Sequence, residues 1–260
     1  MSRDEDPFRH LAPHFNPLFF PFSGSGGYIR RQLDACKRRI YRDFLKIRYV
    51  FAQWLHYPCH MTVLRVRDFE IHPGFFAPDA QRALVEELRD ILSVAPLVQP
   101  VTPRGTPMSV RMSAAGEYGW ISDRKGYRYE PQHPSGVPWP PIPARLIDMW
   151  QTLVPDARLP QCCLINWYDV TAKMGMHQDR DEADLTQPVV SVSLGDDGLF
   201  RMGNSTRGGK TESVWLRSGD VVVMGGDARL TYHGIDRIRP NSSALLPKGG
   251  RINLTLRVVT

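Results

Sequence analysis

Arg251-Ile252-Asn253-Leu254-Thr255-Leu256-Arg257 is the stretch on which the fold turns. Side chains alternate between the two faces of a strand, so Arg251, Asn253, Thr255 and Arg257 share one face and Ile252, Leu254 and Leu256 the other. If the apolar face packs outward against helices, the polar face turns into the interior of a β-barrel and carries two guanidinium groups with it. An unpaired charge in such a place costs several kcal/mol, so both arginines would require anionic partners. The competing reading, a strand whose polar face meets water, leaves both arginines merely solvated.

Working back from this strand, short β-type runs recur at Cys162–Tyr168, Val189–Leu194, Ser213–Leu216, Val221–Met224 and Leu230–His233. Turn signals such as Ser218-Gly219-Asp220 and Gly225-Gly226-Asp227 separate them. A further strand is predicted over Thr62–Ile71. Pro78 and Asp79 start a helix with Leu84, Leu88, Ile91 and Leu92 on one face, and a second helix follows Pro143 with Leu146, Met149, Trp150 and Leu153 at similar spacing. Many short strands beside two core-facing helices predict an α+β, mainly β fold, a barrel or sandwich with its helices packed outside.

The composition agrees. With 260 residues, 42% hydrophobic and 23% charged, disorder along the whole length is excluded. One large β-rich domain, alone or with an extension, can bury about 70–75% of its unfolded surface without staples. Cys36, Cys59, Cys162 and Cys163 form no CxxC pair or zinc spacing, and the adjacent pair is poorly placed for a disulfide, which fits a reducing compartment. No apolar run approaches the roughly 18 residues of a membrane span, and no secretory leader pattern is visible, so the expectation is a cytoplasmic protein without membrane contact. Net charge is +6, but residues 1–60 hold ten Lys/Arg against five acids, leaving 23 against 22 over the rest. Global charge is therefore weak evidence for nucleic acid. Residues 1–27 read as a flexible tail and 28–56 as a basic helix, either a surface for phosphates or a solvated face. Together, residues 1–60 form a basic N-terminal extension. The patterned domain begins at Met61, as it would at an alternative start.

His177-Gln178-Asp179 places an imidazole and a carboxylate two residues apart, on one side of an extended segment. His233 lies at the end of a predicted strand and can supply a third ligand. Two His and one carboxylate on one face of an octahedral ion leave three positions open, the arrangement of non-haem Fe(II) oxygenases. Those positions suit a chelating cosubstrate and dioxygen. Against this, a lone His-x-Asp occurs by chance in many proteins, and a lone His233 would more often be a buried, hydrogen-bonded histidine. The two arginines supply the independent support, because a dicarboxylic acid that chelates iron at one end matches paired guanidiniums, each able to bind a carboxylate through two hydrogen bonds.

With these residues in view, the chain resembles the AlkB family of Fe(II)- and 2-oxoglutarate-dependent dioxygenases, most closely its bacterial nucleic-acid repair members. The likeness runs from about Met108 to Arg257. It passes through Gly119-Trp120, Gly126-Tyr127, Leu164-Ile165-Asn166, His177-Gln178-Asp179-Arg180-Asp181-Glu182, Ser191-Val192-Ser193-Leu194-Gly195, Gly219-Asp220-Val221 and Tyr232-His233-Gly234-Ile235. It implies a jelly-roll double-stranded β-helix with packing helices and a β-rich nucleotide-recognition lid. The lid would span about 104–140 and the catalytic barrel about 160–260, within a dioxygenase domain of 61–260. It further implies that His177, Asp179 and His233 bind Fe(II), that Arg251 and Arg257 hold the two carboxylates of 2-oxoglutarate, and that Asn166, Tyr168 and Asn253 hydrogen-bond this cosubstrate. Ordinary polar satisfaction inside a barrel is the alternative for those three.

For the substrate, the resemblance makes Trp120 the ring that stacks on a flipped base, Met112 a pocket wall, Tyr127 a group near the phosphate backbone and Asp181 a carboxylate beside the exocyclic amine. The lid also carries Arg111, Arg124, Lys125 and Arg128, and the stretch Arg201–Lys210 adds Arg201, Arg207 and Lys210 as groups to grip a strand. By composition alone, a hairpin with an aromatic core and solvated charges would serve as well. The implied reaction is oxidative demethylation of N-alkylated bases, 1-methyladenine and 3-methylcytosine, in DNA, with RNA left open as a second substrate. It couples to dioxygen and to decarboxylation of 2-oxoglutarate to succinate, with release of formaldehyde, by a monomer. Two other readings stay open at this stage: the same oxygenase chemistry on tRNA, protein or a small metabolite, and a non-catalytic barrel that binds nucleic acid.

Overall fold

The computed structural model describes residues 62–260, so the expectations for residues 1–61 lie outside the described residues. The chain enters through a hairpin, β1 (Leu64–Val66) and β2 (Phe69–His72). The single strand expected over Thr62–Ile71 is thus broken in two. Arg67 and Asp68, at φ of 47° and 68°, form the left-handed two-residue corner that lets the strands pair. Helix α1 (Pro78–Val94) follows, then β3 (Arg111–Gly116), β4 (Gly119–Asp123), β5 (Gly126–Glu130) and helix α2 (Ala144–Leu153). The remaining strands are β6 (Cys162–Tyr168), β7 (Met174–His177), β8 (Val189–Gly195), β9 (Asp197–Met202), β10 (Glu212–Leu216), β11 (Val221–Met224), β12 (His233–Arg239) and β13 (Arg251–Arg257).

These strands form a seven-stranded sheet in the order β1-β2-β11-β8-β13-β6-β3 and a four-stranded sheet, β10-β9-β12-β7. The crossing of non-consecutive strands between two antiparallel sheets is the jelly-roll double-stranded β-helix. One face of the large sheet meets the helices: Leu84, Leu88 and Ile91 of α1 and Leu146, Met149 and Trp150 of α2 cluster with Ile165, Val190, Val192, Leu254 and Leu256. Its other face meets the small sheet, with Phe69, Leu164, Val222 and Met224 packed against Phe200, Met202 and Ile235. Burial on both faces explains why β8 reads as a nearly continuous apolar run interrupted only by Ser191 and Ser193. Trp150 is fully buried and donates its indole N–H to the Arg158 carbonyl at 3.0 Å. Trp150→Ala should lower stability by about 3–5 kcal/mol, read as a reduced denaturation midpoint in urea.

Two further segments differ from the sequence expectation. The stretch 104–140, expected as one lid, divides: β4 and β5 form a separate hairpin, whereas β3 is an edge strand of the large sheet, paired with β6 from Arg111↔Trp167 to Gly116↔Cys162. Its small residues Ala114 and Ala115 are fully buried, and a side chain at Gly116, whose φ is +119°, would collide with the Gln161 carbonyl as the chain turns off the sheet. The strand predicted at Leu230–His233 is also displaced. A 3-10 turn at Gly226–Ala228 takes the Thr231 N–H, the Asn204 carbonyl takes that of Tyr232, and His233 therefore opens β12 instead of closing a strand. No helix among the described residues is long and apolar enough to cross a membrane.

Candidate active site

β7 and β12 run antiparallel on the small sheet with His177 and His233 directly paired, their rings 4.7 Å apart. Each imidazole donates Nδ1–H to a carbonyl two residues earlier: His177 to Gly175 at 2.9 Å and His233 to Thr231 at 2.9 Å. A carbonyl can only accept, so Nδ1 carries a proton, and in the neutral ring Nε2 is left with a bare lone pair. Burial of His233 pushes its pKa down to about 4 against the opposing pull of Asp179, which keeps the ring neutral near pH 7. Asp179, two residues past the end of β7, lies 3.6 Å from His177 Nε2 through Oδ1 and 3.9 Å from His233 Nε2 through Oδ2.

Burial alone would raise the pKa of Asp179, but the Arg257 guanidinium, helped by His233 and His177, outweighs it and holds the carboxyl far below the usual range. Arg257 binds Oδ1 at 2.8 Å, while Oδ2 is buried without any hydrogen-bond partner. A buried lone carboxylate oxygen facing two imidazole lone pairs is a site with an unmet demand for a cation. The three ligand atoms fall within 4.8 Å of one another. Two nitrogens and one oxygen on one side, with the cavity on the other, fit an octahedral Fe(II) with open positions.

β13 supplies the floor. Its polar face is buried throughout and points into the barrel. Arg251 is 1% exposed, lies over the Tyr168 ring at 5.3 Å and donates to Ser193 Oγ at 2.9 Å. Its Nε and one terminal nitrogen have no partner, and no carboxylate among the described residues forms an ion pair with it. Burial accordingly depresses its pKa. Gly198 makes the room, since a Cβ there would stand 2.7 Å from Arg251 Nε. A fully buried cation with donors to spare fits one end of a dicarboxylate.

Arg257 is differently placed: its charge is already shared with Asp179 and, at 3.5 Å, Glu182, although its Nε makes no hydrogen bond. Asn253 is held by Ser191 and the Val192 carbonyl and accepts from Thr255, so it braces the sheet. Asn166, opposite Asn253 in the register, is buried with an unpartnered oxygen.

At the cavity mouth, Trp120 on β4 stacks on Tyr127 of β5 with ring centres 5.4 Å apart and 17° between planes. The Trp120 indole N–H donates to Asp181 Oδ2 at 2.8 Å. Met112 lines the wall from β3. Every residue that the sequence singled out for metal, cosubstrate or base borders one cavity of about 690 Å³. The cations singled out for gripping a strand are less free than composition suggested: Arg128 of the lid is bound by Asp123 at 2.9 Å and Glu130 at 2.6 Å, and Arg201, outside the lid, sits in β9, paired with Asp236 at 2.8 Å.

Sequence reasoning passed over Arg229, counted Tyr129 only among the lid rings that can stack on bases, and gave no role to Gln178 or Glu182. Tyr129 donates to Glu182 at 2.5 Å and accepts from Arg257 at 3.1 Å, and Gln178 ties the segment between the first two candidate ligands to the Leu230 carbonyl.

A family profile described as the 2OG-Fe(II) oxygenase superfamily matches residues 68–257. The chain is 51% identical to the alpha-ketoglutarate-dependent dioxygenase AlkB homolog of Caulobacter vibrioides, covering 74% of this chain and 88% of that protein. It is 41% identical to alpha-ketoglutarate-dependent dioxygenase AlkB of Escherichia coli, covering 70% and 86% respectively. A solved structure, that of OsALKBH1, superposes with a TM-score of 0.64 at 28% identity, over 75% of this chain and 99% of that one.

Proposed function

Because the chain belongs to the AlkB family within the 2OG-Fe(II) oxygenase superfamily, and is thus an Fe(II)- and 2-oxoglutarate-dependent dioxygenase, we propose that its substrates are N-alkylated bases of nucleic acid. We assign 1-methyladenine and 3-methylcytosine in DNA, and also in RNA. The observation that carries this reading is the stacked Trp120–Tyr127 pair with Asp181 at the mouth of the cavity that ends on His177, Asp179 and His233. A flat aromatic face accepts any base by stacking, and a carboxylate beside it favours an adenine or cytosine methylated on a ring nitrogen, which is cationic, over the neutral base.

In this reading His177, Asp179 and His233 hold Fe(II), Arg251 holds the far carboxylate of 2-oxoglutarate, and Arg257 stands at the metal end. Asn166, Tyr168 and Asn253 line the cosubstrate's path. When bound, the iron and its cosubstrate supply the oxidation of the N-methyl group by dioxygen, yielding succinate, carbon dioxide and formaldehyde. The chain fixes both imidazole tautomers through Gly175 and Thr231, orients Asp179 through Arg257, and takes the extruded base against Trp120. Cys162 and Cys163 are buried free thiols, which supports a reducing, cytoplasmic setting.

The test is formaldehyde release from a panel of methylated DNA and RNA oligonucleotides, with iron and 2-oxoglutarate supplied or withheld. Trp120→Ala should raise the KM for a methylated oligonucleotide roughly 5- to 150-fold, the worth of about 1–3 kcal/mol of base stacking, while 2-oxoglutarate is still consumed without repair. Equal oligonucleotide turnover by this variant and the wild type would remove Trp120 as the stacking ring, and no release from any oligonucleotide by the wild type would point instead to a protein or metabolite substrate.

A further inference from the structure

The segment between β7 and β8 carries four carboxylates, of which Asp179, Asp181 and Glu182 must be aimed in different directions around the site. No strand ladder holds it; besides the Ala183 N–H on the Val259 carbonyl at 2.9 Å and the Gln178 amide on the Leu230 carbonyl, Arg229 does. This side chain, 4% exposed, lies in the connection between the 3-10 turn and β12, four residues before His233. Its Nε donates to the Gln187 carbonyl at 2.8 Å, one terminal nitrogen to the Asp179 carbonyl, and the other to Glu182 Oε2 at 2.9 Å. One planar guanidinium thus spans the segment from the residue that offers the carboxylate ligand to the residue two before β8. The other oxygen of Glu182 accepts from Tyr129 and faces Arg257, which returns to Asp179 Oδ1. The result is a closed ring of two cations and two anions in which Asp179 is gripped twice, at its backbone by Arg229 and at its carboxylate by Arg257.

We propose that Arg229 is a positioning residue for the metal site, a staple that fixes where Asp179 presents its free oxygen and links the segment bearing that ligand to the segment bearing His233. The inference rests on the reading of His177, Asp179 and His233 as metal ligands. Groups that orient a ligand from behind typically change metal affinity about 10- to 100-fold when removed. Only a planar fork serves here. Lysine would keep a positive charge opposite Glu182, so that the buried anion is not abandoned, but a single ammonium cannot reach three separated acceptors with the same geometry.

The experiment titrates the full chain with Co(II), whose visible absorption reports the ligand field, well below the melting midpoint. It compares wild type, Arg229→Lys and Arg229→Met. Arg229→Lys, folded by near-ultraviolet circular dichroism, should bind Co(II) about 10- to 100-fold more weakly with an altered band. With Fe(II) it should form more succinate than formaldehyde. Arg229→Met should do the same or more; if it does not fold, Arg229→Lys decides. A folded Arg229→Lys with an unchanged band, affinity within twofold and matched succinate and formaldehyde would overturn the inference and leave Arg229 a structural group only. Wild type without a Co(II) band would overturn the site reading and the inference with it. A band that depends on Arg229 in a protein inactive on every methylated oligonucleotide supports the inference and rejects the substrate reading alone.

Discussion

His177→Ala should lose both formaldehyde release and Co(II) affinity by well over the roughly 100-fold that loss of a mere supporting group can cost, and should still fold. Its side chain is 39% exposed and makes one hydrogen bond, to the Gly175 carbonyl, so its removal abandons little. Asp179→Ala should abolish the same activities but behave differently as a protein. Asp179 is the nearer carboxylate partner of Arg257, and its removal leaves this buried cation with only Glu182 at 3.5 Å, an anion that Arg229 also binds; breaking a buried pair in this way costs up to about 3–5 kcal/mol. For a domain of this size that is a drop in melting midpoint of roughly 6–20 °C. The pair of variants separates the two jobs of the triad: loss of metal without loss of stability at His177, loss of both at Asp179. Retained Co(II) binding by folded His177→Ala would remove the imidazole from the metal site and the oxygenase assignment of these residues with it.

The contrast between these variants also marks how much the sequence discloses. The alternation in β13 was legible because a strand buried on both faces normally reads as continuously apolar, and four polar side chains at a period of two break that rule visibly. β8 and β11 are legible as short β-type runs set between turn signals. β7 and β9 were harder. Met174-Gly175-Met176-His177 has no β-branched residue, and Asp197-Gly198 opens β9 with two strand-poor types, because Gly198 must leave space for Arg251. β3 hid inside the lid since its Ala114 and Ala115 carry little apolar signal, yet being small is what lets that edge pack.

Within the site, residues that present a lone pair or a ring were found by type and spacing. Arg229 and Glu182 were not, because a charged residue in a Gly-rich connection looks solvated until the fold buries it against a partner 47 positions away. Periodicity carries information about faces, and nothing in it records which buried charges meet.

Arg251 offers the sharpest separation of stability from function. A fully buried guanidinium with two unpartnered nitrogens and only Ser193 and the Tyr168 ring for company is a liability to the protein without cosubstrate. Replacing such a group with an apolar side chain of similar volume is commonly neutral or stabilising by about 1–4 kcal/mol. Arg251→Met should therefore melt at or above the wild-type midpoint when no 2-oxoglutarate is present. Adding the keto acid should reverse the order. Wild type at about one hundred times its dissociation constant gains roughly 2.7 kcal/mol by linkage, and the variant, having lost the partner of the far carboxylate, gains less than about 1 kcal/mol at the same concentration. The KM for 2-oxoglutarate should rise roughly 30-fold to a few thousand-fold, matching the 2–5 kcal/mol that a severed buried charge pair costs. Differential scanning calorimetry with and without 2-oxoglutarate, beside succinate kinetics, reads all three quantities. A variant that melts lower than wild type and is still stabilised by the keto acid would show that Arg251 is a structural cation, and would require the far carboxylate to be held elsewhere in the cavity.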